Sequence, residues 1–221
     1  MSDFGQKIIS AIYNNDLIKG CYRNLMVEGN DPWGLSIDLN WDGVGKIKIS
    51  SFDISDFWAL RDWWKYSLNY QTKCLFPLFP GDERLDRYIA NHLKNQENRR
   101  DIIFNAWLIK EGSLNEDFNN EIIGHFFLLQ HESDKSFVGL CVSSAFQGKK
   151  LGTLFISLIS YIAKTLGKKQ LWLTTGKDNP VGYNLYNKLG FEDIGDIEVY
   201  VPAENYKRID TEMKLDLNNF K

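Results

Sequence analysis

The sequence predicts an α/β fold in which a mixed, mostly antiparallel, twisted sheet carries helices on both faces. Two stretches carry this prediction. Residues 33–41 alternate strictly between apolar and polar side chains, which is typical of a half-buried β-strand. Residues 137–175 contain a strand, a glycine-bearing turn, an amphipathic helix and a second strand, so they predict a βαβ unit with parallel strands. With 221 residues and 43% apolar content, the chain is expected to form one domain over residues 1–221.

The chain is predicted to begin with a helix and a hairpin. Apolar residues at helical spacing predict the helix over residues 3–18. The strand over residues 33–41 is expected to pair with residues 46–51 across the turn Asp42-Gly43, in antiparallel fashion.

Two helices are predicted in the next stretch. The first has Ser55 or Asp56 as its expected N-cap, and its predicted buried stripe consists of Phe57, Leu60, Trp64 and Leu68. Prolines make residues 74–81 an extended segment. A second helix is predicted over residues 82–94.

The second half of the chain is predicted to complete the sheet. Strands are expected over residues 102–110, 122–130, 136–143, 192–202 and 208–217. The helix of the βαβ unit has an apolar side of Leu151, Leu154, Phe155, Leu158 and Ile162, and Gly167 is its expected end. In the last helix Asn179 is the expected cap and Pro180 occupies the first turn, while Val181, Leu185 and Leu189 are expected to face inward.

Composition excludes several classes of protein. A formal net charge of −3 and a sequence pI of about 5.7 argue against binding to nucleic acid or to an anionic membrane. No run approaches the roughly 18 apolar residues that cross a bilayer, and no secretory signal is visible. The scattered cysteines Cys21, Cys74 and Cys141 favour free thiols in a reducing cytoplasm over disulfides or a metal site.

The turn Gln147-Gly-Lys-Lys-Leu-Gly152 is the first candidate functional element. It opens a helix, whose N-terminus presents free backbone N–H groups and a partial positive charge that suit a pyrophosphate. Gly148 allows close approach of the backbone, and Lys149 and Lys150 add cationic donors. The alternative for the two lysines is that they are simply solvated at the start of the helix.

This turn, followed by Asn179, Leu185-Tyr186 and Gly190-Phe191, resembles the signature of the GCN5-related N-acetyltransferases (GNAT). Lys150 stands where the family's first motif glycine is expected, and Gly182 replaces a usual alanine. The resemblance implies a GNAT-like fold with acetyl-CoA as co-substrate and no metal. It also implies that residues 46–217 form the acetyltransferase core and that residues 1–45 are an N-terminal helix and strand addition.

The resemblance also implies a set of site residues. The backbones of the strand before the turn would bind the pantetheine arm, and one of its N–H groups would face the thioester carbonyl. The implied coenzyme contacts are Leu140, Cys141, Val142, Gln147, Gly148, Lys149, Lys150, Leu151, Gly152, Thr153, Asn179 and Tyr186.

Two catalytic residues are predicted, Tyr186 and His125. Tyr186 matches the family's tyrosine that protonates the departing thiolate, and a phenol with a pKa near 10 is a plausible donor to a thiol with a pKa near 8.5. Its alternative role is that of an aromatic core residue. The base is predicted to be His125, with His131 and Glu121 as neighbouring candidates and a water chain or a purely structural histidine as alternatives.

The predicted function is acetyl-CoA-dependent N-acetylation of a primary amine by direct attack in a ternary complex. The alternatives are a non-catalytic acyl-CoA-binding or regulatory domain, and an acyltransferase with a longer acyl donor or a hydroxyl acceptor. A metabolite amine, an amino sugar, a peptide N-terminus and a protein lysine are all open as acceptors, and a homodimer is open as the assembly.

Overall fold

A computed structural model describes residues 2–68, 82–110, 120–201 and 206–220. Its nine strands are β1 (Tyr22–Glu28), β2 (Ser36–Trp41), β3 (Gly45–Ser51), β4 (Ile102–Leu108), β5 (Glu121–Leu129), β6 (Phe137–Val142), β7 (Gln170–Gly176), β8 (Glu192–Val201) and β9 (Tyr206–Asp216). Its α-helices are α1 (Asp3–Tyr13), α2 (Phe57–Asp62), α3 (Asp82–Glu97), α4 (Leu151–Thr165) and α5 (Pro180–Lys188).

All nine strands form one sheet in the order β1-β2-β3-β4-β5-β6-β7-β9-β8. Every neighbouring pair is antiparallel except β6 and β7, which are parallel and joined by α4. The prediction of a mixed, mostly antiparallel α/β sheet is therefore confirmed. None of the helices in the described ranges is long and apolar enough to cross a membrane.

The N-terminal part follows the prediction with two differences. The hairpin is confirmed, since Asp38 pairs with Lys48 in an antiparallel register across the turn. The first helix is shorter than predicted, because the chain turns after Asn14. Strand β1 is an addition that the sequence did not predict. The left-handed Asn24 interrupts its alternation, and its register with β2 shifts between Arg23 and Met26.

The N-cap predicted before α2, Ser55 or Asp56, differs from the one in the structure. Asp53 accepts a hydrogen bond from the Ser55 N–H at 2.7 Å, whereas Asp56 makes no capping bond and points into the interior instead. A single π-helical turn, Trp63–Ser67, follows α2 and buries both Trp63 and Trp64. The predicted extended segment 74–81 lies outside the described residues.

The sheet separates two hydrophobic cores. The larger one lies between the sheet and helices α1, α4 and α5, and the smaller one lies beneath α2 and α3. Because α1 packs across α4, nearly all of α4 is buried and not only the predicted stripe. The inward orientation predicted for Val181 is wrong, since its side chain is 77% exposed at the start of α5.

Candidate active site

A gap between β6 and β7 is the central feature of the site. The two parallel strands pair at one position only, Phe137 with Trp172, where the Trp172 N–H donates to the Ser136 carbonyl at 3.0 Å. Backbone groups alternate in direction along a strand, so those of Leu140 and Val142 point the same way as Ser136, into the gap. The Val142 carbonyl accepts a bond from the Gln147 side chain at 3.2 Å.

The same alternation corrects the expectation for Cys141. Its backbone points toward β5, where Cys141 is in register with His125, so it cannot bind a ligand lying in the gap. Its side chain is buried in the core beneath α2 and α3. Of the three predicted backbone contacts on β6, the geometry therefore favours Leu140 and Val142.

The turn from β6 into α4 has the shape of an anion-binding loop. Gly148 and Lys150 both have left-handed backbones, with φ of +74° and +61°, and α4 begins immediately afterwards. The N–H groups of the first helical turn, which includes Leu151, Gly152 and Thr153, have no acceptor within the helix. They are available to an anionic group, as the sequence predicts for a pyrophosphate.

The side chains in this first turn have structural roles. Leu151 and Thr153 are buried in the core, so only their backbones can meet a ligand. A Cβ on Gly152 would lie 3.0 Å from the Leu185 Cδ2 and 3.7 Å from the Leu140 Cδ1. The glycine thus permits close packing between α4, α5 and β6, next to the gap.

Both lysines of the turn lie over the N-terminal part of the chain. The Lys150 Nζ is 3.6 Å from the Cys21 Sγ, and the Lys149 carbonyl accepts a bond from the Trp41 Nε1 at 2.7 Å. A Cβ on Gly43 would be 3.7 Å from the Lys149 Nζ. A solvent-open cavity of about 670 Å³ lies nearby, lined by the β2–β3 turn together with Arg23, Lys46 and Ile109, and it is separate from the strand gap.

Tyr186 is a buried residue of α5, the helix that follows β7. It is 8% exposed, and its ring packs against Phe191 with a centroid distance of 5.7 Å. Burial, with a smaller contribution from the Cys141 thiol, raises the pKa of Tyr186 to about 12, so the hydroxyl keeps its proton at neutral pH. Tyr186 belongs to the core under α4, and Cys141 belongs to the opposite core. The contribution of the Cys141 thiol to the pKa of Tyr186 indicates that the phenol lies near β6.

Asn179 holds the start of α5. Its side-chain oxygen accepts a bond from the Gly182 N–H at 3.0 Å, and its amide nitrogen donates to the Thr175 hydroxyl at 3.3 Å. The predicted helix cap is confirmed. The cap also ties α5 to the end of β7, on the other side of the gap from Leu140.

His125 lies at the end of a buried hydrogen-bonded chain. Its Nδ1 bonds to the Asn105 side-chain oxygen at 2.8 Å, and the Asn105 amide donates to Asp56 at 2.9 Å. Burial, and secondarily the charge of His92, lowers the pKa of His125 to about 3, so the ring is neutral. Its Nε2 is buried and faces no hydrogen-bond partner among the described residues.

The sequence did not predict the roles of Asn105 and Asp56, because no spacing links residues that three separate elements bring together. Burial raises the pKa of Asp56 to about 6, although the bond from Asn105 opposes this rise. The other two base candidates have partners elsewhere. The His131 ring bonds to the Arg99 carbonyl, and Glu121 pairs with Lys110 at 3.4 Å.

The profile of the Acetyltransferase (GNAT) family matches residues 75–191 of the sequence, more than half of the chain. The chain belongs to the GNAT family of acetyltransferases. A search of curated proteins found no match. Among the described residues, no group of three or more His, Cys, Asp or Glu side chains could hold a metal ion.

Solved GNAT structures share this fold at low sequence identity. Ribosomal-protein-S5-alanine acetyltransferase from Vibrio fischeri is 13% identical, with a TM-score of 0.60 over 79% of this chain and 95% of that one. Spermidine N-acetyltransferase from Vibrio cholerae, in complex with CoA and spermine, is 15% identical, with a TM-score of 0.58 over 78% and 96%. The Escherichia coli ribosomal-protein-S18-alanine N-acetyltransferase is 17% identical, with a TM-score of 0.56 over 77% and 94%.

The two departures from the GNAT signature have structural explanations. Lys150 adopts the left-handed conformation that a glycine takes without strain, so the course of the turn is kept despite the side chain. At position 182 a Cβ would clash with the Asn179 amide. Glycine there allows Asn179 to cap α5 and bond to Thr175 at the same time.

Proposed function

We propose that this GNAT protein transfers an acetyl group from acetyl-CoA to a primary amine, by direct attack within a ternary complex. The observation that carries the proposal is the gap between β6 and β7, which opens beside the anion-binding turn at the start of α4. Tyr186, on the helix that follows β7, would supply its hydroxyl to the departing thiolate. The solved relatives named above act on alanine of ribosomal proteins and on spermidine, which supports an amine acceptor.

The coenzyme would lie along this gap. Its pyrophosphate would bind the free N–H groups at the start of α4 and its pantetheine arm would pair with β6, as an added strand pairs with a sheet edge. The Leu140 and Val142 N–H groups are the available donors to the pantetheine amides and to the thioester carbonyl. A preorganised donor at the developing oxyanion contributes about 10²–10³ in rate.

In the proposed reaction, the amine nitrogen forms a bond to the thioester carbon, and the carbon–sulfur bond then breaks. The proton lost by the nitrogen restores the thiol. Full transfer from a phenol with a pKa of about 12 to a thiolate would be uphill by about 5 kcal/mol, at 1.36 kcal/mol for each pH unit. Tyr186 therefore stabilises the departing thiolate chiefly as a hydrogen-bond donor.

His125 has a corresponding role on the acceptor side. A base with a pKa of about 3 lies roughly seven pH units below an alkylammonium, so direct proton removal would cost about 10 kcal/mol. Because Nδ1 is committed to Asn105, the buried Nε2 presents a lone pair that can accept a bond from an enclosed water. We propose that the amine reacts as the small neutral fraction that exists in solution at neutral pH, having lost its proton to the solvent buffer before it binds, and that His125 orients the acceptor side through a bound water.

We further propose that the chain works in the cytoplasm as one domain. Cys21 and Cys141 are free thiols, as expected for a reducing compartment. Strands β1 and β2 belong to the same continuous sheet as the acetyltransferase core, which supports a single unit over residues 1–221.

A panel assay tests the proposed function. The protein is incubated with acetyl-CoA and a set of amines that includes an alanine-ended peptide, a polyamine and a lysine peptide, and thiol release is followed. Amine-dependent release is expected, and calorimetry should show acetyl-CoA binding without any amine. Binding without turnover on any amine would favour the non-catalytic alternative. Faster turnover with a longer acyl-CoA or with a hydroxyl acceptor would favour the second alternative, an acyltransferase that uses that donor or that acceptor.

A further inference from the structure

Residues 2–45, here called the N-terminal layer, make several contacts with the turn of residues 147–152 that leads into α4. Trp41 donates its indole N–H to the Lys149 carbonyl at 2.7 Å. Cys21 lies 3.6 Å from the Lys150 ammonium, and Gly43 lies against the Lys149 side chain. These contacts converge on two adjacent residues, which directly precede the free N–H groups of α4.

The conformation of Lys150 explains why such contacts are needed. Its φ of +61° is left-handed, a conformation that disfavours any residue with a Cβ and that glycine adopts freely. A change of this φ to negative values would rotate the peptide groups that lead into α4. The N–H groups at the helix start would then lose their common direction, which an anion needs.

Trp41 is well placed to prevent this change. Its side chain is 2% exposed, and its ring is stacked on Tyr22 at a centroid distance of 6.5 Å and an interplanar angle of 14°. Trp41 is also the last residue of β2, which is flanked on both sides, and it is in register with Tyr22 on β1 and Gly45 on β3. The indole N–H is thus fixed by the core, and it fixes in turn the carbonyl directly before Lys150.

We infer that Trp41 is a positioning residue for the coenzyme, which holds the turn in its anion-binding conformation from the N-terminal layer. The layer thereby compensates for the lysine that occupies a glycine position in the family signature. The inference rests on the proposed function, since it presumes that coenzyme A binds at this turn. Trp41 itself touches no reacting atom.

The test compares Trp41→Phe with Trp33→Phe. Phenylalanine keeps an aromatic ring and removes the indole N–H together with the volume of the second ring, a loss of volume that Trp33→Phe shares. Trp41→Phe should weaken coenzyme A binding about tenfold by calorimetry. The KM for acetyl-CoA should rise similarly, while the KM for S-acetylpantetheine, which lacks the pyrophosphate, should stay unchanged. Trp33→Phe is the matched control, because the Trp33 Nε1 also donates to a backbone carbonyl, that of Asp101 at 2.9 Å, but far from the turn.

A glycine background separates positioning from general destabilisation. In a Lys150→Gly background, Trp41→Phe should lower coenzyme A affinity by no more than about twofold, because glycine needs no restraint at φ of +61°. Equal losses in the Trp41 and Trp33 variants, or an undiminished loss in the Lys150→Gly background, would overturn the inference.

A second pair of variants covers the case in which Trp41→Phe does not fold. With Trp41 intact, Lys150→Gly and Lys150→Val lose the same ammonium group, so any difference between them reports on the backbone. Lys150→Val should bind coenzyme A at least tenfold more weakly than Lys150→Gly, because a β-branched residue resists the left-handed region. Equal affinity of these two variants would overturn the inference while leaving the proposed function standing. A parent protein that does not bind coenzyme A at all would overturn both.

Discussion

Replacing Asp56 by asparagine is expected to stabilise the protein at neutral pH. Burial raises the pKa of this carboxyl from 3.8 to about 6, even though Asn105 donates a bond to it. At 1.36 kcal/mol for each pH unit, this rise in pKa lowers the free energy of unfolding at neutral pH by about 3 kcal/mol. Asparagine has nearly the same shape, carries no charge and can still accept the bond from Asn105, so it removes this cost.

The rise in the pKa of Asp56 on folding determines how the stability of the parent protein depends on pH. Because the folded-state pKa lies above the unfolded one, the folded protein binds more protons between about pH 3.8 and 6. The parent therefore loses stability as the pH rises through this window, and the loss is complete above pH 6. Asp56→Asn should match the parent near pH 3.5 and exceed it by about 2–3 kcal/mol at pH 7.

Denaturant unfolding of both proteins at several pH values measures the difference. The control is Asp16→Asn, which removes the same charge from an exposed position and should leave the pH dependence of the parent unchanged. A free energy of unfolding for Asp56→Asn that equals or falls below the parent value at pH 7 would refute the argument. It would mean that the charged Asp56–Asn105 bond outweighs the burial of the carboxylate.

Three further substitutions test other parts of the structure. Tyr186→Phe should lower the rate by about 10²–10³, the effect of losing one preorganised hydrogen-bond donor, while the melting temperature and acetyl-CoA binding change little. Its control is Tyr183→Phe, which removes an exposed hydroxyl 3.2 Å from Asp193 and should leave the rate unchanged. Turnover of Tyr186→Phe within threefold of the parent would exclude the hydroxyl from the chemistry. Asn179→Ala should cost about 1 kcal/mol of stability through loss of the cap, and an unchanged melting temperature would contradict that role. Gly124→Ala should cost about 1–3 kcal/mol, because its Cβ would lie 2.7 Å from the Phe155 Cζ; unfolding at the parent's denaturant midpoint would show that the core relaxes freely.

The parts of the fold that could be predicted from the sequence are those with an uninterrupted pattern. Strand β2 and the crossover from β6 to β7 have clear periodicity, and Asn179 with Pro180 marks the start of α5. Strand β1 could not be predicted in this way, because the left-handed Asn24 breaks its alternation. The burial of Val181 was mispredicted because a position in the first turn of a short helix need not face the sheet.

The same distinction explains which residues of the candidate site could be predicted from the sequence. The turn and Tyr186 can be found because they form a local motif with fixed spacing. The chain from His125 through Asn105 to Asp56 cannot, since β5, β4 and the segment before α2 meet only in the folded sheet. The same holds for the contact of Trp41 with Lys149, which joins residues 108 positions apart.

Strand β8 has a consequence for how the protein behaves at high concentration. It is the last strand of the sheet, and the side chains of residues 192–198 are all exposed. Four of these seven residues are acidic: Glu192, Asp193, Asp196 and Glu198. A second copy that added its own β8 in antiparallel fashion would bring carboxylates close to carboxylates, a repulsion that is strongest at low salt. Lys177 and Lys207 pair with Asp196 and Glu198, so this repulsion is partly compensated. Charged side chains along an edge strand nevertheless disfavour pairing of that edge with a second copy.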